Sequence, residues 1–283
     1  PSVTQIQKSL LEAQQQTQSG VAVVPAVLRV NFTEVQTGFL DLTFVPPEGA
    51  VQARRIEVSR PRFAGLLKDL YRQLSRQESL NVGNPQSASR QLHQLLIKPI
   101  QESLDAAGIT TLLIAADQGL QAVPFSALSD GTRYFGDRYG FALSPSLALT
   151  DLSASQPSRG LLAMGASEFE PLAPLPLVPQ ELSKIRDPAV TDRYLNEGFT
   201  PRSFLDRAAD PRYSRVHVAS HADFRPGGPE KSVLHTGVGP MSMADFAQLR
   251  RKRRDVPLDL VVLSACRTML GDQDSELGFA GLA

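Results

Sequence analysis

The chain has one cysteine, no tryptophan and only four histidines among its 283 residues. The single cysteine, Cys266, excludes an intrachain disulfide and any zinc site built on several thiolates. It fits a reducing compartment, and the expected location is the cytoplasm. Formal net charge is zero, with 29 basic and 29 acidic side chains, so no overall field recruits nucleic acid or an anionic membrane surface. No apolar run approaches the roughly 18 residues that a membrane span requires. No leader pattern opens the chain, which starts at Pro1 as a piece of a longer polypeptide would. What is present is the composition of a globular chain, 42% apolar and 20% charged. The length suits about two domains.

Residues 1–20 are rich in Gln and Ser around Ile6, Leu10 and Leu11, and read as the tail of an upstream helix followed by a linker. Val27–Phe32 and Phe39–Val45 read as strands. In the second, Leu40, Leu42 and Phe44 alternate with Asp41 and Thr43, the period of a half-exposed antiparallel pair. Arg54–Val58 reads as a third strand. Pro61–Gln77 places Phe63, Leu66, Leu67, Leu70, Tyr71 and Leu74 at helical spacing. Asn84-Pro85 reads as the start of another helix with Leu92, Leu95, Leu96, Ile100 and Leu104 as its buried stripe. Pro99 is expected to kink that helix and Gly108 to stop it.

From Thr111 the texture changes. Thr111–Ala116, Leu161–Gly165, Val216–His221 and Asp259–Cys266 are short apolar runs, as in strands covered on both faces. Ser242-Met-Ala-Asp245 is a capping signal for a helix through Phe246 and Leu249 to the run Arg250–Arg254. Apolar runs separated by helices predict βα units and a mainly parallel sheet flanked by helices. The Ser-, Ala- and Gln-rich stretch 150–160 separates one lobe, residues 21–155, from a second, residues 156–283.

Two of these runs end in reactive side chains. Ligands of open α/β sheets bind beyond the carboxyl ends of the strands, where both His221 and Cys266 fall. If the two strands are neighbours, a thiol there meets an imidazole able to take its proton. The backbone N–H groups of Ala222 and Cys266 are then available to a carbonyl oxygen, and the reaction class is acyl transfer through a thioester. Cys266 also has a plainer reading as a small buried hydrophobe. His217 and His221 stand at the i, i+4 spacing of a zinc pair on a helix, but on a strand that spacing separates them by about 13 Å, and no metal or other cofactor is expected.

The segments around these residues resemble the CHAT family of caspase-like cysteine proteases, named for caspase HetF associated with TPRs and frequent in cyanobacteria and other bacteria. The resemblance rests on His217-Val-Ala-Ser-His221 and Val262-Leu-Ser-Ala-Cys266-Arg-Thr268. Leu120-Gln-Ala-Val-Pro-Phe125, Ser144-Pro-Ser146, Ala163-Met-Gly-Ala-Ser167, Leu175-Pro-Leu177 with Glu181, and Glu276-Leu-Gly-Phe-Ala-Gly-Leu282 follow in the family's order, and the resemblance is expected to run from about residue 25 to the end. It implies a pseudo-protease α/β lobe followed by a caspase-like catalytic lobe, with His221 as general base and Cys266 as nucleophile. Where the family often has Gly after the histidine this chain has Ala222, which keeps the N–H donor. The family continues beyond the Gly-Leu-Ala segment into a helix and further strands, which implies a further neighbour for the strand that ends at Cys266. It also implies an upstream TPR or other helical region and a protein substrate.

Ser167, Glu168, Asp223 and Glu276, with Asp272 and Asp274, fall on loops near the same sheet edge, where acidic groups would suit a basic side chain on the substrate. Ordinary surface loops are equally acidic. Arg250–Arg254 reads as a solvated helix terminus, with nucleic-acid contact or an autoprocessing loop as the alternatives. The expected activity is that of a cysteine endopeptidase acting on regulatory proteins; the rival expectation is a catalytically silent or gated scaffold for protein–protein interaction.

Overall fold

Period-two alternation becomes a mixed sheet in the first part of the chain. The computed structural model describes residues 1–16, 23–33, 38–117, 119–144, 147, 150, 159–185, 190–223 and 229–265. Its contacts divide the chain into two compact units, Pro1–Ala154 and Ser155–Ala283. In the first unit, helix α1 (Val3–Gln16) precedes β1 (Pro25–Thr33), β2 (Phe39–Val45) and β3 (Gln52–Glu57). β1 and β2 pair antiparallel, and Leu40, Leu42 and Phe44 are buried while Asp41 and Thr43 are not. The segment read as a helix tail holds α1, whose Leu10 is buried against Val27 and Val45 on one face of the sheet.

The other face is covered by helices. α2 (Arg60–Ser75) begins at Ser59, whose side chain accepts from the Arg62 N–H, with Pro61 in the first turn. Phe63 and Leu70 are buried, and Phe63 meets Phe32 edge to face at 5.2 Å. Tyr71 and Leu74 belong to the predicted stripe yet lie exposed; the Tyr71 hydroxyl donates to the Ala122 carbonyl. Asn84-Pro85 does not open the next helix. Asn84 Oδ1 accepts from the Gln86 N–H at 2.9 Å and its carbonyl from the Ser87 N–H at 3.0 Å, so the segment closes a turn. α3 (Ala88–Leu96) follows it. Pro99 divides the helical stretch into α3, one 3₁₀ turn over Lys98–Ile100, and α4 (Gln101–Ala106). Gly108, at φ +61°, takes the left-handed conformation that ends it. β4 (Thr111–Ala116) then enters the sheet parallel to β1, and after the short α5 (Phe135–Arg138) β5 (Gly140–Ser144) pairs parallel with β4. The strand order is β3-β2-β1-β4-β5.

The second unit holds a four-stranded parallel sheet and a small antiparallel one. Its elements are β6 (Gly160–Gly165), α6 (Val178–Lys184), β7 (Val190–Leu195), α7 (Pro201–Ala208), β8 (Arg215–Ala219), β9 (Ala222–Asp223), β10 (Val233–Thr236), β11 (Gly239–Ser242), α8 (Met243–Lys252) and β12 (Leu260–Ser264). The parallel order is β12-β8-β6-β7. Every residue of β6 is buried, as its uninterrupted apolar run predicts. Leu162, Met164, Val216 and Val218 join the cluster containing Phe204 of α7 and Phe246 and Leu249 of α8, while Leu161 and Ala163 join Val178 and Leu182 of α6. α7 is capped reciprocally by Thr200 and Ser203, each side chain accepting the other's N–H at 2.9 Å. α8 begins where its capping signal lies, with the Asp245 carboxylate accepting from the Ser242 N–H at 3.1 Å. Among the described residues β12 forms the edge of its sheet, and Leu260 is half exposed.

Candidate active site

β8 and β12 are adjacent, parallel and in one register, with Val216 beside Val261 and Ala219 beside Ser264. β6 lies on the other flank of β8, with Gly165 beside Ala219. Gly165, Ala219 and Ser264 thus end three strands at one level. The chain stays stitched just beyond them. The Ala166 N–H donates to the Ala219 carbonyl and the Ser220 N–H to the Ser264 carbonyl, both at 3.1 Å. Gly165 is demanded by packing, since a Cβ there would stand 2.8 Å from Val178 Cγ1 and 3.0 Å from the Ala219 oxygen.

His221 follows β8 by two residues. Its Nε2 lies 2.8 Å from the Ala173 carbonyl oxygen. A carbonyl can only accept, so Nε2 carries the proton and, in the neutral ring, Nδ1 is left as the basic nitrogen. Phe169 packs on the imidazole with ring centroids 4.8 Å apart. Both contacts come from the loop after β6, held in shape by the Leu175 N–H donating to the Ser167 carbonyl at 2.9 Å.

The backbone after His221 becomes the edge strand of the small sheet, ordered β11-β10-β9. The His235 N–H donates to the His221 carbonyl at 2.9 Å, and Ala222 lies opposite Leu234. Antiparallel ladders alternate bonded and non-bonded pairs. Ala222 falls in a non-bonded pair, so its N–H is directed away from β10. Burial holds the His235 imidazole below its ordinary range; the nearby charge of His221 lowers it further and Asp223 opposes this.

Asn196, at φ +49°, joins three of these parts. Its Oδ1 accepts from the Ser167 N–H at 2.8 Å and from the Ser167 hydroxyl at 3.2 Å. Its backbone abuts Gly237 so closely that a Cβ on Gly237 would stand 1.9 Å from the Asn196 oxygen. The sequence reading missed Phe169, Ala173, Asn196 and His235. A turn signal at Asn196-Glu-Gly198 and the alternation of Val233–Thr236 before Gly237 are the traces they left.

Of the predicted site residues, Ala222 and Asp223 form β9, Ser167 is buried on Asn196, and Glu168 is exposed on the loop that reaches His221. Cys266 and Glu276, with Asp272 and Asp274, lie outside the described residues. His217 does not share the surroundings of His221; its Nε2 is 2.8 Å from Glu181 Oε1 of α6. Among the described residues no group of three or more His, Cys, Asp or Glu side chains is arranged to hold a metal ion. The basic run is not wholly solvated. Arg253 is buried and donates to the carbonyls of Ala208, Asp210, Tyr213, Val256 and Pro257, because the turn after α8 folds back over the start of β8. A groove of about 930 Å³ beside it reaches Val216 and Leu260, at the amino ends of the strands and away from His221.

A parallel sheet flanked by helices, with candidate groups beyond its carboxyl edge, defines an α/β protein of caspase-like fold. The chain belongs to the CHAT domain family, whose pattern it matches over residues 86–283. That match begins shortly before α3, so α1, β1, β2, β3 and α2 lie outside it, whereas the sequence led to the expectation of a resemblance from about residue 25. No curated protein matches the chain. No helix among the described residues is long and apolar enough to cross a membrane.

Proposed function

We propose that the protein is a cysteine endopeptidase in which His221 is the general base and Cys266 the nucleophile. The observation that carries this reading is the parallel pairing of β8 with β12 at one register. His221 follows Ala219 by two residues, and Cys266 follows its register partner Ser264 by the same two. The orientation of His221, with Nε2–H on the Ala173 carbonyl and Nδ1 left basic, supports the role of base.

In this mechanism Nδ1 takes the Sγ proton and the thiolate attacks the scissile carbonyl carbon. The oxyanion accepts from the Ala222 and Cys266 N–H groups. The imidazolium then gives its proton to the departing amine and a thioester remains. Water, deprotonated by Nδ1, attacks the thioester; the proton returns to sulfur as the acid product leaves. The exposed Glu168, the half-buried Asp223 and Glu276 are the acidic groups proposed to receive a basic substrate side chain, while Ser167 holds Asn196 and shapes the loop. The substrates in this reading are regulatory proteins of the cytoplasm, recruited through an upstream helical or TPR region.

The test is cleavage of candidate partner proteins, and of the protein itself, by wild type, Cys266→Ala and His221→Ala. Loss in both variants is expected. Cleavage that persists in both overturns the assignment, and a folded wild type that cleaves nothing favours the silent scaffold.

A further inference from the structure

The small sheet brings a second histidine to the candidate base. The register runs from Val233 beside Asp223, through Leu234 beside Ala222, to the bond from the His235 N–H to the His221 carbonyl. Residues directly opposite in an antiparallel ladder raise their side chains on one face, with Cα atoms about 5.5 Å apart in a bonded pair. Leu234 is buried and Ala222 packs with it in the apolar cluster shared with α7 and α8. The alternate positions 221, 223 and 235 therefore share the opposite face: two imidazoles and one carboxylate. The same stretch of chain holds the strand a second time, since the Ser220 hydroxyl donates to the His235 carbonyl.

The groups around the pair come from several elements. The loop after β6 supplies the Phe169 ring and the Ala173 carbonyl, and carries the exposed Glu168 and Glu170. β9 supplies Asp223, and β11 sets the uncharged Pro240 opposite His235. A second cation in this cluster would face the first at short range.

We propose that His235 is a positioning residue of the site, a neutral imidazole held opposite His221 so that the pair accepts one proton and resists a second. The role rests on the assignment of His221 as base. A base that becomes an imidazolium during thiol activation is helped by a polar neighbour that stays uncharged, and hindered by one that charges first. The direction in which burial and the charge of His221 move His235 agrees with the geometry. Asp223 limits the effect by favouring the charged form of His235.

The experiment is an NMR titration of the histidine ring protons, of which the chain has only four sets. The His235 midpoint is expected to rise by about 0.5 to 2 pH units in His221→Gln, the range for two charges at this separation near a protein surface. In Asp223→Asn it is expected to fall, which provides a second reading if His221→Gln does not fold. A midpoint unchanged in either folded variant overturns the proposal. Alkylation of Cys266 then reads the role itself. His235→Lys, a permanent cation, is expected to slow alkylation at pH 7 roughly threefold or more relative to the neutral His235→Gln. Equal rates in those two variants overturn the positioning role. If the His235 shift is present but alkylation ignores His221→Ala, the histidine pair stands and the assignment of the base falls.

Discussion

The imidazole of His221 donates from Nε2 to the carbonyl of Ala173, 48 positions earlier in the chain, at 2.8 Å. A backbone acceptor of this kind selects the ring's tautomer and orientation without placing a second charge beside it. The contact depends on the loop after β6 keeping its shape.

Phe169 is the side chain of that loop that lies against the ring. Replacing it with alanine removes an aromatic contact of roughly 0.5–1.5 kcal/mol, about a two- to tenfold effect on how well His221 is held. The rate of Cys266 alkylation at neutral pH is expected to fall by that factor in Phe169→Ala. The melting temperature should change little, since Phe169 is only partly buried.

Gly237 tests the other side of the site. A Cβ there meets the Asn196 backbone at distances no side-chain motion can relieve. Gly237→Ala is expected to cost about 1–3 kcal/mol in denaturant unfolding, as overpacking typically does. It should also lower activity, by shifting Asn196 away from Ser167. Gly65, exposed in α2 with open space around it, is the contrast: Gly65→Ala is expected to stabilise the protein by about 0.5–1 kcal/mol.

Arg253 separates from its neighbours in the basic run. Arg253→Ala takes the guanidinium donor from the buried carbonyls of Ala208 and Tyr213 and is expected to destabilise by about 2–4 kcal/mol. Arg254 is exposed, and Arg254→Ala should stay within about 0.5 kcal/mol. Limited tryptic digestion of the native protein is expected to cut after Arg250, Arg251 or Arg254 before Arg253.

His93 makes stability depend on pH. It is buried in α3, and Nδ1 has no protein partner among the described residues. Burial lowers its tendency to take a proton; Asp130 opposes this, and Arg138, Arg90 and Lys98 reinforce it. The folded protein therefore binds this proton less readily than the unfolded chain does. The contribution is fully present above the unfolded imidazole value of about 6.5 and is lost as pH falls below it. Urea unfolding at pH 7.5 and 5.5 should show wild type losing more stability on acidification than His93→Gln.

Strands β1 to β4, β6, β8 and β12, with helices α2, α3, α4 and α8, were legible because burial on a strand or helix writes its period into neighbouring residues; β5 and the short strands β9, β10 and β11 were not. Leu40, Leu42 and Phe44 mark a half-covered strand, and the unbroken apolar run of β6 a fully covered one. The capping signal at Ser242 and Asp245 is local in the same way. β7 was not legible, because Asp192, Arg193 and Tyr194 interrupt any apolar run. Asn84-Pro85 misled because a turn and a helix start use the same residues.

The chemical repertoire was set by the chain alone: one thiol, four imidazoles and no overall charge. Folding supplied the partners. Ala173 meets His221, the His235 backbone bonds to the His221 carbonyl, Asn196 joins Ser167 to Gly237, and one arginine of a five-residue basic run turns inward. Each of these depends on backbone from distant parts of the chain arriving at one place. No local period records such a meeting, because its energy belongs to the packed arrangement and not to any single segment.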